Sequence, residues 1–277
     1  MTTYKEIKGQ LIKSVSSDPA NPQVGEIWYN NTIGVLKGYI FTADAWSAGG
    51  NMNTGREAGA GAGAQTTALY FGGQYDPTAR GLTEEYNGSS WSEGNNLNTG
   101  RDALGGCGTQ TAGLAFGGNT PPNTALTEEY DGTSWSEQND LNTARRNIAG
   151  AGIQTAALAI AGQAGGPESS LTEEYDGTSW TTSGNLNTGR EGVATAGIQT
   201  SAIAMGGSIP PNTTAVEQYN GTSWTTGVSM TTSRDGAGGA GASSTSALVF
   251  GGRAPSPTTA TEEFTDTFNA VRTLTTS

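Results

Sequence analysis

Tryptophan recurs at Trp46, Trp91, Trp135, Trp180 and Trp224, at spacings of 45, 44, 45 and 44 residues. A period in this range means one supersecondary unit copied in series, each copy burying its apolar face against the next. The copying reaches letter identity: LTEEYDGTSW occupies residues 126–135 and again 171–180. Other positions hold the same register. Arg56, Arg101, Arg145, Arg190 and Arg234 each follow a Trp by ten residues. A pair of small residues comes next, at Gly72-Gly73, Gly117-Gly118, Ala161-Gly162, Gly206-Gly207 and Gly251-Gly252. Tyr86, Tyr130, Tyr175 and Tyr219 stand five before a Trp; Phe264 continues that series, and Phe268 lies near the place of a sixth Trp. Glu84, Glu128, Glu173, Glu217 and Glu262 each stand two before these aromatics.

Each unit reads as four short strands. In the copy from Trp91 to Trp135, WSEGNNLN is an outer strand and ALGGCGTQ an inner strand of very small residues. TAGLAFGG is apolar and ends on the Gly pair. LTEEY alternates, with Leu126, Glu128 and Tyr130 on one face and Thr127 and Glu129 on the other. Asp131-Gly132 then supplies a tight turn into the next outer strand. Helical periodicity is absent from the repeats.

Four strands in about 45 residues, with a Gly-Gly and a Trp in each copy, is the pattern of a β-propeller. The order apolar strand–Gly-Gly, Glu-x-Tyr, Trp, Arg resembles the kelch repeat over residues 46–268. The expected fold is an all-β propeller of five kelch-like repeats, residues 46–277, preceded by a distinct N-terminal docking or closing segment, residues 1–45. The sequence departs from kelch in its tiny inner strands, such as AGAGAGA at 58–64, which suit a narrow axis and few blades, five or six.

The N-terminal segment holds all four lysines, Lys5, Lys8, Lys13 and Lys37, while the acidic excess lies in the rest of the chain. SSDPANPQVG is a turn-rich connector. GEIWYNNTIGVLKGYIF reads as two strands joined at Asn-Asn-Thr-Ile-Gly, and Phe41 stands five before Trp46. Two closures are open. The segment supplies an atypical sixth blade, or five blades close by pairing an N-terminal strand with the last repeat. The block GEIWYNN…LKGYIF followed by Gly-rich repeats also resembles tail-fibre and virion-surface structural proteins of marine tailed bacteriophages. That resemblance implies a non-enzymatic virion component located on the particle. It also implies contact with other virion proteins through residues 1–45 and engagement of a host-surface glycan or receptor. A glycan-binding propeller lectin is the alternative.

Composition removes other classes. The net charge of −12 opposes binding to nucleic acid or to an anionic membrane. Without His there is no Ser-His-Asp triad and no imidazole base or ligand. Cys107, the single cysteine, stands where sibling repeats carry Gly or Ala and reads as a small buried filler. No apolar run approaches a membrane span and the first residues lack an apolar signal-peptide core. GAGAGAG lacks the Lys-Ser/Thr of a phosphate loop, and no Asp/Asn spacing suits an EF-hand. No metal and no cofactor is expected.

Adjacent strand residues point to opposite faces, so the Glu-Glu pairs do not converge on one substrate. The first Glu of each pair and the repeat Arg are expected to form an ion pair within the unit. The competing reading places the arginines in a ring that binds carboxylates or anionic sugars. The loops after the Gly pair read QYDPTARG, NTPPNTA, QAGGPESS, SIPPNTT and RAPSPTT, and differ where the strands agree. Variation confined to one set of loops is how repeat scaffolds display a binding surface. Asp76, Arg80, Asn123, Glu168, Asn212 and Arg253 are its candidate polar contacts.

Overall fold

A computed structural model describes residues 12–20, 26–38, 48–75, 78–254 and 256–266. The chain divides into two compact units, Met1–Ala48 and Gly49–Ser277. The boundary falls three residues beyond the one expected from sequence. Among the described residues the regular structure is all β. Trp46, Phe41, Asp76 and Phe268 lie outside them.

In the N-terminal unit, β1 (Lys13–Val15) pairs in parallel with β2 (Ile27–Asn30), and β2 pairs antiparallel with β3 (Val35–Gly38). The β2–β3 turn occupies 31–34, as the Asn-Asn-Thr-Ile-Gly run requires. The Asn30 side-chain oxygen accepts from the N–H groups of Thr32 and Ile33, which fixes that turn. Asp18 gathers the unit's polar tips: it accepts from Trp28 Nε1 at 3.0 Å, Asn30 Nδ2 at 2.9 Å and Lys37 Nζ at 2.5 Å. The Lys37 hydrogen bond, followed by those from Asn30 and Trp28, holds the Asp18 carboxyl at about 2.

The second unit is a series of antiparallel sheets, one per repeat. The first contains β4 (Ala60–Ala64) and β5 (Thr67–Phe71). A small hairpin of β6 (Gln74–Tyr75) and β7 (Thr78–Ala79) follows, then β8 (Thr83–Tyr86) and β9 (Trp91–Glu93). The second sheet is β10 (Gly105–Thr109), β11 (Ala112–Phe116), β12 (Thr127–Tyr130) and β13 (Trp135–Gln138). The third is β14 (Ala149–Ile153), β15 (Ala156–Ile160), β16 (Thr172–Tyr175) and β17 (Trp180–Thr182). The fourth is β18 (Ala194–Ile198), β19 (Ser201–Met205), β20 (Val216–Tyr219) and β21 (Trp224–Thr226). The fifth has three strands among the described residues: β22 (Gly238–Ser243), β23 (Ser246–Phe250) and β24 (Thr261–Thr265). Strand order follows chain order in every sheet. The β6–β7 hairpin, inside the first variable loop, was not expected from the sequence.

The outer strands are shorter than the sequence reading. WSEGNNLN contributes only Trp91–Glu93, because Leu97 turns inward and is buried. Each innermost strand packs against the innermost strand of the next sheet, so β4, β10, β14, β18 and β22 contact in succession. Small residues make that approach possible. A methyl group on Gly150 would lie 2.5 Å from the Gly106 carbonyl oxygen of the preceding sheet. Among the described residues, no contact of comparable extent joins β22 to β4.

The core lies between sheets. Leu114, Phe116 and Cys107 of the second sheet pack with Ile148, Ala157 and Trp180 of the third, and equivalent clusters fill the neighbouring seams. Phe71 meets Trp135 at 4.9 Å between ring centroids, and Phe116 meets Trp180 at 5.0 Å. Such aromatic pairs add about 0.5–1.5 kcal/mol beyond area burial. The periodic Trp is therefore a wedge against the previous sheet, and its N–H is also used. Trp135, Trp180 and Trp224 donate from Nε1 to Oγ1 of Thr83, Thr127 and Thr172, each at 2.9 Å. A buried indole N–H left without an acceptor costs about 1–3 kcal/mol, so the Thr is part of the wedge.

Candidate functional site

The repeated charges come first, because they are the most abundant candidate chemistry. Arg56, Arg101, Arg145, Arg190 and Arg234 each contact the Glu of their own repeat: Glu84, Glu128, Glu173, Glu217 and Glu262. The Arg145–Glu173 contact is 2.8 Å, Arg190–Glu217 3.2 Å and Arg234–Glu262 2.6 Å. All five guanidinium side chains are fully enclosed. The other carboxylate oxygen accepts backbone N–H groups of the NT segment before the Arg, from Asn98 to Glu128 and from Asn142 to Glu173, each at 2.7 Å. Arg145 Nη1 also donates to the carbonyls of Ala161 and Leu171, at 2.7 and 2.9 Å. The cluster ties three segments of one repeat together.

This geometry corrects the reading of the arginines as a ligand-binding ring. Their side chains are enclosed by protein, and no solvent-borne anion reaches them. Burial alone would raise the Glu84 carboxyl; the Arg56 hydrogen bond and the Asn53 N–H outweigh it and hold that carboxyl below the usual range. Burial draws the Arg145 guanidinium down, and Glu173 draws it back.

The second Glu of each pair has a separate task. Tyr130, Tyr175 and Tyr219 donate their hydroxyls to Glu85, Glu129 and Glu174 of the preceding sheet. Burial, then the carboxylate neighbour, pushes these phenols up, Tyr219 to about 12. A third device was missed in the sequence. Gln110 Nε2 donates to the carbonyls of Ala68 and Tyr86, at 3.1 and 2.7 Å. Gln154 and Gln199 repeat this with Gly113 and Tyr130, and with Ala157 and Tyr175. The periodic Gln-Thr dipeptide was its sequence signal.

The variable loops share one frame. The second residue of each small pair closes its loop by accepting from the far end: Arg80 N–H to Gly73, Thr124 to Gly118, Ser169 to Gly162, Thr213 to Gly207 and Thr258 to Gly252. That residue takes a left-handed conformation, as at Gly118 (φ 110°), where a Cβ would lie 2.8 Å from the Asp102 carbonyl. The N–H groups of Gly73, Gly118, Gly162 and Gly207 reach forward to the next repeat, as from Gly118 to the Arg145 carbonyl at 2.8 Å. A strict base thus carries a variable tip.

The candidate loop residues divide in two. Asn123 and Asn212 are half-buried and donate to the Gln163 and Arg253 carbonyls of the following repeat, both at 2.8 Å. Their amides link neighbouring loops, a correction to their reading as free ligand contacts. Arg80 is exposed, Glu168 is half-exposed, and Arg253 is 67% exposed at its side chain while contacting Asp235 at 2.8 Å. Asp76 lies outside the described residues. Between the second and third loops an open cleft of about 590 Å³ is lined by Asn119, Pro121, Arg146 and Gln163, among others. Arg146 holds the Gln163 side-chain oxygen through Nε and Nη2, at 3.0 and 2.7 Å. Among the described residues no three His, Cys, Asp or Glu side chains converge as metal ligands.

No protein-family model matches the sequence, and no curated protein matches it.

Proposed function

We propose that residues 49–266 belong to a β-propeller of kelch-like repeats that acts as a non-enzymatic structural component of a bacteriophage particle. It is a tail-fibre or surface protein whose loop edge contacts a host receptor or neighbouring subunits. The observation that carries this reading is the division of labour between repeat and loop. The repeat Arg and the first Glu of each repeat are joined in an intra-repeat pair, while the residues that differ between copies sit in loops on a common frame. Such a chain presents surface rather than a reaction centre.

The N-terminal unit is proposed as the attachment element. Its sheet exposes Ile27, Tyr29 and Leu36 on one face, and a cluster of exposed apolar side chains marks an interaction surface. The alternative is a lectin. It now rests on the loop cleft at Arg146 and Asn119 alone, since the repeat arginines are sealed. Immunolabelling of intact particles with antibody to the loops, beside a glycan array, tests both. Labelling on the particle is expected. Its absence, with the protein found only in lysate, removes the virion role; strong binding to one polysaccharide favours the lectin.

A further inference from the structure

The position after the repeat Arg is acidic in four of the five repeats, at Glu57, Asp102, Glu191 and Asp235. In the third repeat it is Arg146. The backbone bridge from this position to the base of the variable loop is kept in all five: Glu57 to Gln74, Asp102 to Asn119, Arg146 to Gln163, Glu191 to Ser208 and Asp235 to Arg253. The frame therefore forms with either sign of charge, and the reversal answers no packing need that the copies share.

The side chains around Arg146 are fitted to the reversal. In the first repeat Gln74 turns its amide nitrogen to Glu57 and donates to Oε1 at 3.2 Å. In the third, Gln163 turns its amide oxygen to Arg146 and accepts from Nε at 3.0 Å and from Nη2 at 2.7 Å. Those two bonds fix the plane of the guanidinium. Arg146 Nη1 donates to no group among the described residues, and none of the ion pairs among them includes Arg146. The result is a half-buried cation held by a neutral partner, with N–H groups to spare.

Arg146 and Gln163 line the open cleft of about 590 Å³ between the second and third loops. Asn119 lines it too, and brings an amide that both donates and accepts. Pro121, Pro122 and Ala164 add exposed apolar surface. Gly165 and Gly166 keep the third loop open, since a Cβ on either would meet nothing within 4 Å. A few convergent polar groups in a cleft of several hundred Å³ suit a small ligand of one or two rings.

We infer that this cleft binds a carboxylate-bearing sugar, a single uronic acid unit within an otherwise neutral glycan. The N–H groups that Gln163 leaves on Arg146 pair with the carboxylate. The amides of Asn119 and Gln163 meet ring hydroxyls, and the proline wall covers ring C–H groups. The net charge of −12 opposes polyanions, so one isolated carboxylate is favoured over a dense run of phosphates or sulfates. The site is separate from the repeat arginines, which are enclosed. It rests on the reading of the loop edge as the recognition surface and names the chemistry recognised there.

The test is an NMR titration of the full chain, following the side-chain amide signals of Asn119 and Gln163. The probes are methyl glucuronide, methyl glucoside and glucose 6-phosphate. Arg146→Glu is the deciding variant: it recreates the Glu57–Gln74 pair of the first repeat and is expected to fold, which an unchanged melting temperature checks. The glucuronide should shift both signals saturably, with a Kd on the order of 1 mM, and the other two probes should bind about tenfold more weakly or less. Arg146→Glu should abolish the response, and Arg146→Lys, which keeps the charge without the fork, should weaken it by about tenfold. Equal binding of glucuronide and glucoside, or glucuronide binding that survives Arg146→Glu, overturns the proposal. Equal or tighter binding of glucose 6-phosphate overturns the carboxylate assignment, and no saturable response to any probe overturns the site. Immunolabelling of particles is read independently. Labelled particles with a silent cleft keep the virion reading and lose this one; a binding cleft on a chain absent from particles does the reverse.

Discussion

The hydroxyl of Tyr175 donates to the Glu129 carboxylate at 3.0 Å, across the seam between the third and second sheets. The pair shows why the second Glu of the repeat persists. It is the docking point for the next copy. Removing one member strands the other, so Tyr175→Phe and Glu129→Gln are each expected to cost about 1–2 kcal/mol. The double variant recreates the natural Gln218/Phe264 combination and should cost less than the sum. A double-mutant cycle by chemical denaturation measures the coupling.

The enclosed ion pairs make a larger prediction. Arg145→Met leaves the Glu173 carboxylate buried without its cation, a loss of about 3–5 kcal/mol. For a unit of this size that lowers the melting temperature by on the order of 10 °C. Arg145→Met with Glu173→Leu should recover most of it, because two apolar side chains strand no charge. Scanning calorimetry of the three variants checks the order.

Stability should fall at both ends of the pH scale, for opposite reasons. Glu84 and Glu262 are held below their ordinary value of 4.5, so their contribution is present above that value and lost as pH falls through the folded value. Tyr219 is raised from 10.0 to about 12, so its contribution is full below 10.0 and lost as pH rises toward about 12. Tyr219→Phe should remove part of the alkaline loss and leave the acid limb unchanged, as followed by circular dichroism.

Cys107 is enclosed at the seam with the third sheet, and burial pushes its thiol to about 12. A thiol reagent should label it only after unfolding, at the rate of global opening. Fast labelling of native protein would place that seam open in solution.

Much of this was written in the period of the sequence. Trp, Arg, Gly-Gly and Tyr recur because each repeat solves the same packing problem, and strand alternation already separated Glu128 from Glu129. The seam partners were harder. Thr83 and Trp135 are 52 residues apart, and nothing local to either marks the hydrogen bond. The Gln110 staple hides in a short polar turn that reads as loop chemistry. Asn123 and Asn212 were equally opaque: their loop was legible as variable, but their amides serve a carbonyl about 40 residues on.

The central claim is that recognition resides in the loop tips and architecture in the repeat. A triple variant, Arg80→Ala, Glu168→Ala and Arg253→Ala, should melt within about 2 °C of the parent chain, since exposed substitutions change stability little. The same variant should bind host cells at least tenfold less tightly, an effect on the order of 1.4 kcal/mol. Unchanged cell binding by the folded triple variant would contradict the account.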